Sequence, residues 1–589
     1  MAVKKKSQMR SGAQCVIDGL VKAGCDTVFG YPGGQILDVF NCLYDSKLHF
    51  VLSRHEQGSV HQADGYTRAT GKTGVCIVTS GPGATNTVTG LATAYMDGIP
   101  MVCISGQVPL SMIGNDAFQE ADTIGITRSV TKHNYLVKNV DELPRIIAEA
   151  FFVASTGKPG PVLIDIPKDV QRSMTAMPSV SPEEISVRAY EPFVKPETAA
   201  VARLADALNK AQRPLLYVGG GAFVSQAETA IRKLAELANI PVTTTLMGLG
   251  AFPETHPLAV GMVGMHGSVA ANSAVCQCDL IIAAGARFDD RVTGKLSEFA
   301  RGATVAHIDT DRSAIHKSVK ADIAVYGDLR TALEMLLPRI AKNPRAEWVK
   351  QIAKWKKDSP LKIPAPRDKF LQPQRVIQLI DEVSKGEAVV VTDVGQNQMW
   401  AAQFFNYTKP RSFVTSGGLG TMGFGLPAAI GAQFGRPKDL VVCVSGDGGV
   451  QMNFQELVVA VEHKLPLNLI ILNNGCLGMV RQWQELFYSK RYSAVMLGQK
   501  NRPVNEQIKD AKDPKYLPDF IMMAEAHGAC AKRVFSEAEA RAAMKEAFAS
   551  DKVWVIECIV SPDENVFPIV PPGASLADMM HAKEIIEEA

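Results

Sequence analysis

An aspartate and a pair of asparagines follow two apolar runs of the chain, and their types and spacing suit a divalent cation. Residues 440–449 read LVVCVSGDGG, and residues 467–475 read LNLIILNNG. Glycines at a helix start let backbone N–H groups approach a phosphate. A bare carboxylate repels a phosphate, so Asp447 predicts a cation between them, bound by Asp447, Asn474 and a loop carbonyl near Cys476. The alternative is a helix-capping aspartate followed by turn asparagines.

Strands and a helix must place these groups at one edge of a sheet. The apolar runs at 440–444 and 467–472 have the composition and glycine-rich ends of buried strands, and residues 453–463 have helical periodicity. This order predicts a parallel βαβ unit. Its polar groups then lie at the carboxyl ends of the strands, where open α/β sheets bind ligands.

Three such blocks, separated by two segments rich in proline and charge, divide the 589 residues. Each block alternates short apolar runs with helix-period segments, which predicts an α/β fold class with three doubly wound parallel-sheet domains. The predicted boundaries are 1–175 for the first domain, 176–198 for a linker, 199–340 for the central domain, 341–372 for a second linker, 373–570 for the third domain and 571–589 for a C-terminal tail.

The composition is that of an ordinary globular protein, with 46% hydrophobic and 21% charged residues. A net charge of +2 gives no reason to expect a nucleic acid or an anionic membrane as partner. The sequence has neither a bilayer-spanning apolar run nor an apolar signal core, so we expect a cytoplasmic protein. The eleven cysteines are irregularly spaced, and only Cys276 and Cys278 lie close together, which predicts reduced thiols.

The GDG sequence, a spacer over residues 449–472 and the asparagine pair together resemble the motif of thiamin diphosphate (ThDP) enzymes. The resemblance implies that the chain binds ThDP and Mg²⁺. The metal ligands would be Asp447, Asn474 and the carbonyl oxygen of Cys476.

Residues 54–58, RHEQG, resemble the glutamate motif of the same enzymes. Glu56 would then be the catalytic acid that protonates the aminopyrimidine ring of ThDP. In these enzymes the two halves of the cofactor are held by domains of different subunits, so the resemblance implies a homodimer at least. Small residues over 59–69 suit a tight subunit interface. The alternative for Glu56 is a solvated carboxylate that a helix dipole favours.

Further stretches resemble the acetohydroxyacid synthase (acetolactate synthase) family, and the resemblance runs from about Gln14 to Ser575. The stretches are IGNDAFQE at 113–120, TKHN at 131–134, GPVLIDIPKD at 160–169, GMHG at 264–267 and GARFDDRVTG at 285–294. The resemblance implies decarboxylation of pyruvate and its ligation to pyruvate or 2-ketobutyrate, the first common step of branched-chain amino-acid biosynthesis. It also implies a structural FAD. A tetramer and a regulatory small subunit are open possibilities.

The family's motifs assign site residues to this chain. Besides Glu56, Asp447 and Asn474, the residues expected to bind ThDP are Tyr31, Pro32, Gly33, Thr79, Gly83, Asn86, Val394, Gly395, Gln396, Asn397, Gly420, Met422, Gly446, Gly448, Gly449, Leu477, Gly478 and Met479. Those expected to bind FAD are Lys158, Gly219, Gly220, Gly221, Thr245, Leu246, Met247, Gly264, Met265, His266, Gly285, Ala286, Arg287, Asp289, Arg291, Asp309, Gly327 and Asp328. Those expected to line the substrate channel are Phe118, Gln119, Lys168, Arg291, Met479 and Trp483.

Individual positions carry further expectations. Asn397 stands where the family usually has histidine, and an asparagine does not titrate near neutral pH. Met422 is expected to be the apolar wedge that bends ThDP, with core packing as the alternative. Trp483 is expected to favour 2-ketobutyrate as acceptor. Residues 499–516 are expected to form a mobile loop over the site.

There are two alternative functions, one within the ThDP enzymes and one from another class. Pyruvate oxidase and glyoxylate carboligase share the expected fold, but the carboligase is expected to lack Glu56 and the oxidase needs a redox-active flavin. A non-catalytic nucleotide-binding protein is the other alternative, because the central block has glycine-rich strand ends without a GxGxxG motif. The presence of Glu56, Asp447 and Asn474 favours an enzyme.

Overall fold

The structure is a computed structural model that describes residues 9–366, 369–497 and 518–581. Within these residues, the chain forms three six-stranded sheets and one two-stranded sheet. The chain divides into two compact units. Unit one comprises Met1–Pro192, Gly418–Lys438 and Asn453–Leu467, and unit two comprises Phe193–Gly417, Asp439–Met452 and Asn468–Ala589.

The amino-terminal block of unit one folds into a parallel sheet covered by helices. Its elements are β1 (Arg10–Ser11), α1 (Gly12–Lys22), β2 (Thr27–Gly30), α2 (Leu37–Tyr44), β3 (His49–Leu52), α3 (Glu56–Thr70), β4 (Gly74–Val78), α4 (Pro82–Thr85), α5 (Val88–Asp97), β5 (Met101–Gln107), α6 (Thr123–Thr127), β6 (His133–Leu136), α7 (Leu143–Ser155), β7 (Pro161–Pro167), α8 (Lys168–Arg172) and β8 (Met174–Thr175), with 3-10 turns at Leu110–Met112, Val140–Glu142 and Pro182–Glu184. The sheet order is β3-β2-β4-β5-β7-β6, and β1 pairs with β8.

The central block has the same architecture and lies in unit two. Its elements are α9 (Thr198–Lys210), β9 (Pro214–Val218), α10 (Gly221–Val224), α11 (Glu228–Ala238), β10 (Val242–Thr244), β11 (Ala259–Met262), α12 (Val269–Gln277), β12 (Leu280–Ala284), α13 (Asp290–Thr293), β13 (Thr304–Asp309), β14 (Ile323–Tyr326), α14 (Leu329–Leu336) and α15 (Ala346–Asp358), with 3-10 turns at Leu246–Gly248 and Leu337–Arg339. The sheet order is β11-β10-β9-β12-β13-β14.

The third block also forms a parallel sheet. Its elements are α16 (Pro373–Ser384), β15 (Val389–Thr392), α17 (Gln396–Phe404), β16 (Phe413–Val414), α18 (Gly425–Gly435), β17 (Val441–Gly446), α19 (Asp447–Val450), α20 (Leu457–Glu462), β18 (Leu467–Asn473), α21 (Gly478–Phe487), α22 (Phe520–Ala526), β19 (Cys530–Val534), α23 (Glu537–Phe548) and β20 (Trp554–Ile559), with a 3-10 turn at Phe454–Glu456. The sheet order is β16-β15-β17-β18-β20-β19.

The predicted fold class, three doubly wound parallel sheets, is confirmed. In each sheet the chain first adds strands on one side of a starting strand and then returns to the other side. The switch points lie between β2 and β4, between β9 and β12, and between β15 and β17. Ligands bind at such switch points, beyond the carboxyl ends of the strands. The predicted cofactor loops follow these strands.

The predicted βαβ unit is present, but its connecting segment is interrupted. The strands β17 and β18 match the predicted apolar runs. The predicted helix over 453–463 is a 3-10 turn at Phe454–Glu456 followed by α20, and the short α19 precedes both. Glu456 is fully buried in this turn, so the segment is shaped by its contacts rather than by helical periodicity alone.

The small residues of α3 allow close helix packing, and the partner is α18 of the same chain. A Cβ at Gly65 would collide with the backbone of Ala428, and one at Gly431 would collide with that of Gln62. The expected close approach therefore exists inside unit one. The subunit interface expected of these residues stays a prediction.

Two further findings concern the predicted linkers and the cysteines. The segment 341–372 contains α15, which packs Trp348 and Ile352 into the core beside the central sheet. All eleven cysteines are free thiols.

Among the residues that the structure describes, no helix is both long and apolar enough to cross a membrane. The predicted loop at 499–516 lies outside the described residues.

Candidate active site

Asp447 is buried at the carboxyl end of β17, where one of its oxygens has no partner among the described residues. The side chain is 1% exposed, and Oδ2 accepts no hydrogen bond. Burial raises the pKa of Asp447 to about 7. Backbone N–H groups of Asp447 itself, Gly475 and Gly448 act in the opposite direction and lower this pKa, but burial has the larger effect. Gly446, not Asp447, is the N-cap residue of α19. Since buried carboxylate oxygens need a partner, the geometry fits a cation ligand better than a helix cap.

Asn474 lies beside Asp447 in the turn after β18. Its Nδ2 donates to Gln396 Oε1 (3.4 Å), and its Oδ1 accepts the Cys476 N–H (3.2 Å). The Gly475 N–H of this turn faces the Asp447 carboxylate. The predicted set of one carboxylate, one amide oxygen and one backbone carbonyl is chemically suited to Mg²⁺. Within the described ranges, no group of three or more His, Cys, Asp or Glu side chains offers another metal site.

The loop after β15 packs beside the loop after β17. Asn397 donates to the Val444 carbonyl (3.0 Å), and a Cβ at Gly395 would lie 3.2 Å from Asn397 Oδ1. Gly395 also has a φ of 131°, which favours glycine. A Cβ at Gly478 would collide with Gln396 Oε1. These close approaches explain the glycines, and they leave backbone N–H groups at the sheet edge.

The other residues predicted for the diphosphate half of ThDP occupy the same loops. Gly448 and Gly449 belong to α19, and Leu477 is the N-cap residue of α21. Val394 follows β15, and Met479 lies in the first turn of α21, packed against the core of the third block. The sequence therefore grouped these positions as the structure does.

Several polar side chains under these loops were not predicted. Gln396 Nε2 donates to Gln482 Oε1 (2.9 Å) and to the Glu564 carbonyl (3.0 Å), and Gln482 is fully buried. Asn473, next to the predicted Asn474, donates to the buried Glu557 (2.7 Å). The only available signal was a polar residue in an otherwise apolar segment, which does not identify its partner.

Glu56 is the first residue of α3, after β3 of the first sheet, and it is half-buried. Asn86 Nδ2 donates to Glu56 Oε2 (3.0 Å), and a Cβ at Gly83 would lie 3.6 Å from Oε1. His55 caps the helix by accepting the Gln57 N–H at Nδ1 (3.1 Å). The Glu56 carboxyl group is therefore held by a neutral amide and is partly open to solvent.

Thr79 connects the loops after β2 and β4, at the switch point of the first sheet. Its Oγ1 accepts the Gln35 N–H (3.3 Å), and a Cβ at Gly33 would lie 2.5 Å from its Cγ2. The Tyr31 N–H donates to Ile77 O (3.0 Å) in the neighbouring strand. The predicted residues Tyr31–Gly33 and Thr79 are therefore together, and Thr79 is also 2.7 Å from the Cβ position of Gly83 beside Glu56.

Three predicted channel residues belong to unit one, and they differ in exposure. Phe118 is 84% exposed. Gln119 has a φ of 60°, and its backbone lies 2.9 Å from the Cβ position of Gly81. Lys168 follows β7, donates to the Gly34 carbonyl and lies 3.4 Å from Asp38. Lys168 therefore adjoins the loop after β2 that also carries Gly33.

Two predicted ThDP residues from the third block belong to unit one. Gly420 and Met422 flank Thr421, whose hydroxyl lies 2.7 Å from that of Thr93 on α5. Gly420 has a φ of 71°, and Met422 is half-buried rather than packed in the core. Residues 420–422 therefore belong to the same compact unit as Glu56.

The predicted FAD residues gather at the switch point of the central sheet. The Gly221 N–H donates to Gly285 O (2.9 Å), and a Cβ at Gly219 would lie 2.5 Å from the same oxygen and 2.6 Å from Ala286. A Cβ at Gly220 would lie 3.4 Å from Met247, in the 3-10 turn that begins at Leu246. These glycines are therefore required by the close packing of the loops at the ends of β9 and β12, which lie where open α/β sheets bind ligands.

The GMHG and RFDDR segments are in direct contact. The Met265 N–H donates to Arg291 O (2.7 Å), and a Cβ at Gly264 would lie 2.6 Å from that oxygen. His266 is buried, its Nδ1 has no partner among the described residues, and burial lowers its pKa to about 4. The hydroxyls of Thr244 and Thr245 are likewise buried and unpartnered in the described part of the chain. Unpaired buried polar atoms are what a polar ligand would satisfy.

Other predicted FAD residues have structural partners. Asp289 and Asp328 cap α13 and α14, and Asp309 Oδ1 accepts the Asp311 N–H (2.7 Å). Gly327 has a φ of 145° beside Asp328, and Arg287 lies 3.4 Å from Asp289. Lys158 belongs to unit one, whereas the remaining predicted FAD residues belong to unit two.

Two of the predicted channel residues meet in unit two. The Arg291 guanidinium lies 5.6 Å from the ring centroid of Trp483, within cation–π range. Trp483 also packs edge-on against Phe487 at 5.7 Å. A cation stacked on an aromatic face forms a wall suited to an anionic organic acid.

Family models place this arrangement in a known class. The model described as "Thiamine pyrophosphate enzyme, N-terminal TPP binding domain" matches residues 10–126, the model of the central domain matches residues 201–336, and the model of the C-terminal TPP binding domain matches residues 393–558. Thiamine pyrophosphate is another name for ThDP. The protein is therefore a ThDP enzyme.

Curated relatives narrow the class further. The "Acetolactate synthase isozyme 2 large subunit" of Escherichia coli (strain K12) is 47% identical over 97% of this chain and 99% of its own. The isozyme 3 large subunit of the same organism is 43% identical over 98% of this chain and 99% of its own. The "Acetolactate synthase large subunit" of Parasynechococcus marenigrum (strain WH8102) is 47% identical over 97% of this chain and 91% of its own. The chain belongs to the acetolactate synthase large-subunit family.

Proposed function

We propose that this chain catalyses the synthesis of acetohydroxyacids from two 2-ketoacids. One pyruvate loses CO₂, and its remaining two-carbon unit is joined to the carbonyl carbon of pyruvate or 2-ketobutyrate. The products are 2-acetolactate and 2-aceto-2-hydroxybutyrate, which commit carbon to branched-chain amino acids. The observation that carries the proposal is the buried Asp447 with a free Oδ2 beside Asn474, in a chain similar to acetolactate synthases over its whole length.

The first part of the proposal is a Mg²⁺ ion held by Asp447, Asn474 and the Cys476 carbonyl. The unpartnered Asp447 oxygen fits this role, and an ion there would offset the cost of burying the carboxylate. When bound, ThDP supplies a nucleophilic carbon and an electron sink for the decarboxylation. The glycines at 395, 446, 448 and 478 let backbone N–H groups approach its diphosphate.

Glu56 is proposed as the acid that binds the aminopyrimidine ring. Asn86 fixes one carboxyl oxygen and leaves the other close to Gly83 and the Thr79 loop. An acid held in one orientation delivers its proton to a defined atom without reorganisation. Met422 is proposed as the apolar wedge beneath the cofactor, since it is half-buried rather than packed in a core.

A structural FAD is proposed for the central domain. The unpaired His266 Nδ1 and the buried hydroxyls of Thr244 and Thr245 would gain partners from a polar cofactor. The glycine-rich ends of β9 and β12 lie at the switch point of the central sheet, a position that suits a diphosphate. Joining two ketoacids involves no net redox change, so the flavin has no obligatory electron transfer to perform.

We propose the substrate-channel roles that the sequence predicted. Arg291 would bind the ketoacid carboxylate, and Trp483, stacked against it, would shape the acceptor pocket in favour of 2-ketobutyrate. Phe118, Gln119 and Lys168 would line the approach to the cofactor.

The proposed assembly is a homodimer at least, with a regulatory small subunit as a further partner. The relatives are named large subunits, which supports a smaller partner.

We also propose the domain boundaries predicted from the sequence, since the strands of the three sheets fall within them. The eleven free thiols support a cytoplasmic location, because that compartment keeps cysteines reduced.

Product analysis with each cofactor omitted in turn tests this function. The purified chain is supplied with ThDP, Mg²⁺ and FAD, and with pyruvate alone or together with 2-ketobutyrate. We expect acetohydroxyacids and CO₂ in equal amounts, with loss of activity when ThDP or Mg²⁺ is left out. Flavin bleaching in proportion to pyruvate consumed would indicate an oxidase instead and would contradict the proposal.

A further inference from the structure

A second buried carboxylate, Glu456, lies against the segment that carries Glu56. Glu456 is fully buried in the 3-10 turn before α20. The Arg54 N–H donates to both its oxygens, at 3.0 Å to Oε1 and 3.2 Å to Oε2. Gln62 Nε2 donates to Oε2 (2.9 Å) from the second turn of α3. All of these residues belong to unit one.

The contact is built into the local sequence. A Cβ at Gly58 would lie 2.5 Å from Glu456 Oε1, so only glycine there leaves room for the carboxylate. Gln62 is itself held by Ser53, whose hydroxyl donates to Gln62 Oε1 (3.1 Å). This hydrogen bond links the residue before Arg54 to the second turn of α3.

The Glu456 carboxylate accepts hydrogen bonds from a backbone and an amide N–H, and the Arg54 guanidinium acts on it through its charge. The Arg54 guanidinium instead donates to Leu52 O (2.7 Å) and Glu462 (2.6 Å). Burial raises the pKa of Glu456 to about 7. The backbone N–H groups of Arg54 and His55 act to lower this pKa, but burial has the larger effect. An anion at a helix N-terminus is stabilised by the free N–H groups and the helix dipole.

We propose that Glu456 is the positioning residue of Glu56: it caps the start of α3 from a distant part of the chain and fixes the backbone from which Glu56 projects. This rests on the proposed role of Glu56 as the acid. Glu456 does not act on the cofactor itself. The Glu456 carboxylate binds Arg54 and Gln62. The Glu56 carboxyl group is bound instead by Asn86, the C-cap residue of α4.

The proposal predicts a loss of acid function without a loss of cofactor binding. Misplacing a reacting group by about 1 Å costs on the order of 100-fold in rate. We expect Glu456→Ala to slow exchange of the C2 proton of enzyme-bound ThDP by about tenfold to 100-fold, measured by acid quench and proton NMR. Its affinity for ThDP should stay within about threefold of wild type.

Amide hydrogen exchange gives a readout without cofactor or turnover. The peptide containing Arg54, His55 and Glu56 should exchange faster in apo Glu456→Ala than in the apo wild type. Glu456→Gln keeps one acceptor oxygen, so it should restore part of both properties. Glu462→Gln is the matched control, because Glu462 binds Arg54 through its guanidinium and not its N–H. It should behave as wild type in both measurements.

The outcomes separate this inference from the proposed function. Slow C2 exchange in the wild type itself would overturn the function. Fast exchange in the wild type, slow exchange in Glu56→Gln and fast exchange in Glu456→Ala would overturn only the positioning role. Equal slowing by Glu456→Ala and Glu462→Gln would do the same. If Glu456→Ala does not fold, Glu456→Gln decides: slowed C2 exchange with faster Arg54 peptide exchange supports the proposal, and unchanged values contradict it.

Discussion

Asp447 and Glu56 are built alike but are surrounded differently. Each is the first residue of a helix that follows a strand of a parallel sheet. Asp447 is 1% exposed with an oxygen that lacks any partner in the described residues, whereas Glu56 is half-buried and bound by the neutral amide of Asn86. The same local structure therefore produces two carboxylates with different needs.

The difference separates a metal ligand from an acid. A buried, unpaired carboxylate is costly until a cation compensates it. A half-buried carboxyl group that a neutral amide binds already has a partner and needs no cation. Replacing each residue by its amide should therefore have different consequences, which the following changes test.

Asp447→Asn should have the largest effect. An amide retains the shape of the side chain but cannot balance Mg²⁺, so we expect kcat/KM for pyruvate to fall by on the order of 1,000-fold or more, as for loss of an essential charge-stabilising group. Steady-state assays over a Mg²⁺ series measure the loss. Asp122→Asn is the control, because Asp122 is a helix N-cap residue that asparagine replaces well. Near-wild-type activity of Asp447→Asn would support the helix-cap interpretation.

Glu56→Gln should have the next largest effect. Loss of a general acid costs about 100-fold or more in kcat. Because the amide still accepts the Asn86 bond, ThDP affinity should change by less than about threefold. Single-turnover assays and ThDP titrations check both values. A variant that keeps wild-type kcat would remove Glu56 from the proton chemistry.

Stability of the apo protein should respond to pH through Asp447. Burial raises its folded-state pKa to about 7, above its unfolded value. Asp447 therefore holds a proton in the folded state at pH values where the unfolded chain has lost it. This contribution to stability is lost as pH rises from the unfolded pKa to the folded pKa of about 7. Thermal denaturation from pH 5 to pH 8 should show Asp447→Asn gaining stability relative to wild type as pH rises, by a few kcal/mol at most. A difference independent of pH would contradict the raised pKa.

Asn397→His should have the smallest effect. Asn397 donates to the Val444 carbonyl, and a neutral histidine ring retains one donor for that contact. We expect kcat/KM within about threefold of wild type above pH 7, with an additional titration near the histidine pKa. The pH profile of kcat/KM measures it. A loss of 100-fold would show that the asparagine has a role that histidine cannot fill.

The sequence predicted the strands and site residues that can be recognised from residues close together along the chain. Apolar runs followed by glycines located the strand ends, and the residue types at those ends indicated Asp447 and Glu56. It did not predict the partners that lie far along the chain. Glu456 binds the Arg54 N–H, 402 residues away along the chain, and Gln482 binds Gln396, 86 residues away. Such contacts depend on how sheets and helices pack, which periodicity alone does not specify.

Local interruptions were missed for a related reason. The segment 453–463 has helical periodicity, but it begins as a 3-10 turn in which the buried Glu456 accepts the Arg54 N–H just before α3. The linker 341–372 was assigned by its prolines and charges, yet α15 packs its Trp348 into a core. In both cases a tertiary contact outweighed the local pattern.

Titration of ThDP into the apo protein tests the central claim most directly. Calorimetry with and without Mg²⁺ is performed on wild type, Asp447→Asn and Glu56→Gln. We predict that Mg²⁺ strengthens ThDP binding by at least tenfold in wild type and Glu56→Gln, and not in Asp447→Asn. Equal affinity with and without the metal in wild type, or an undiminished metal effect in Asp447→Asn, would contradict the assignment of Asp447.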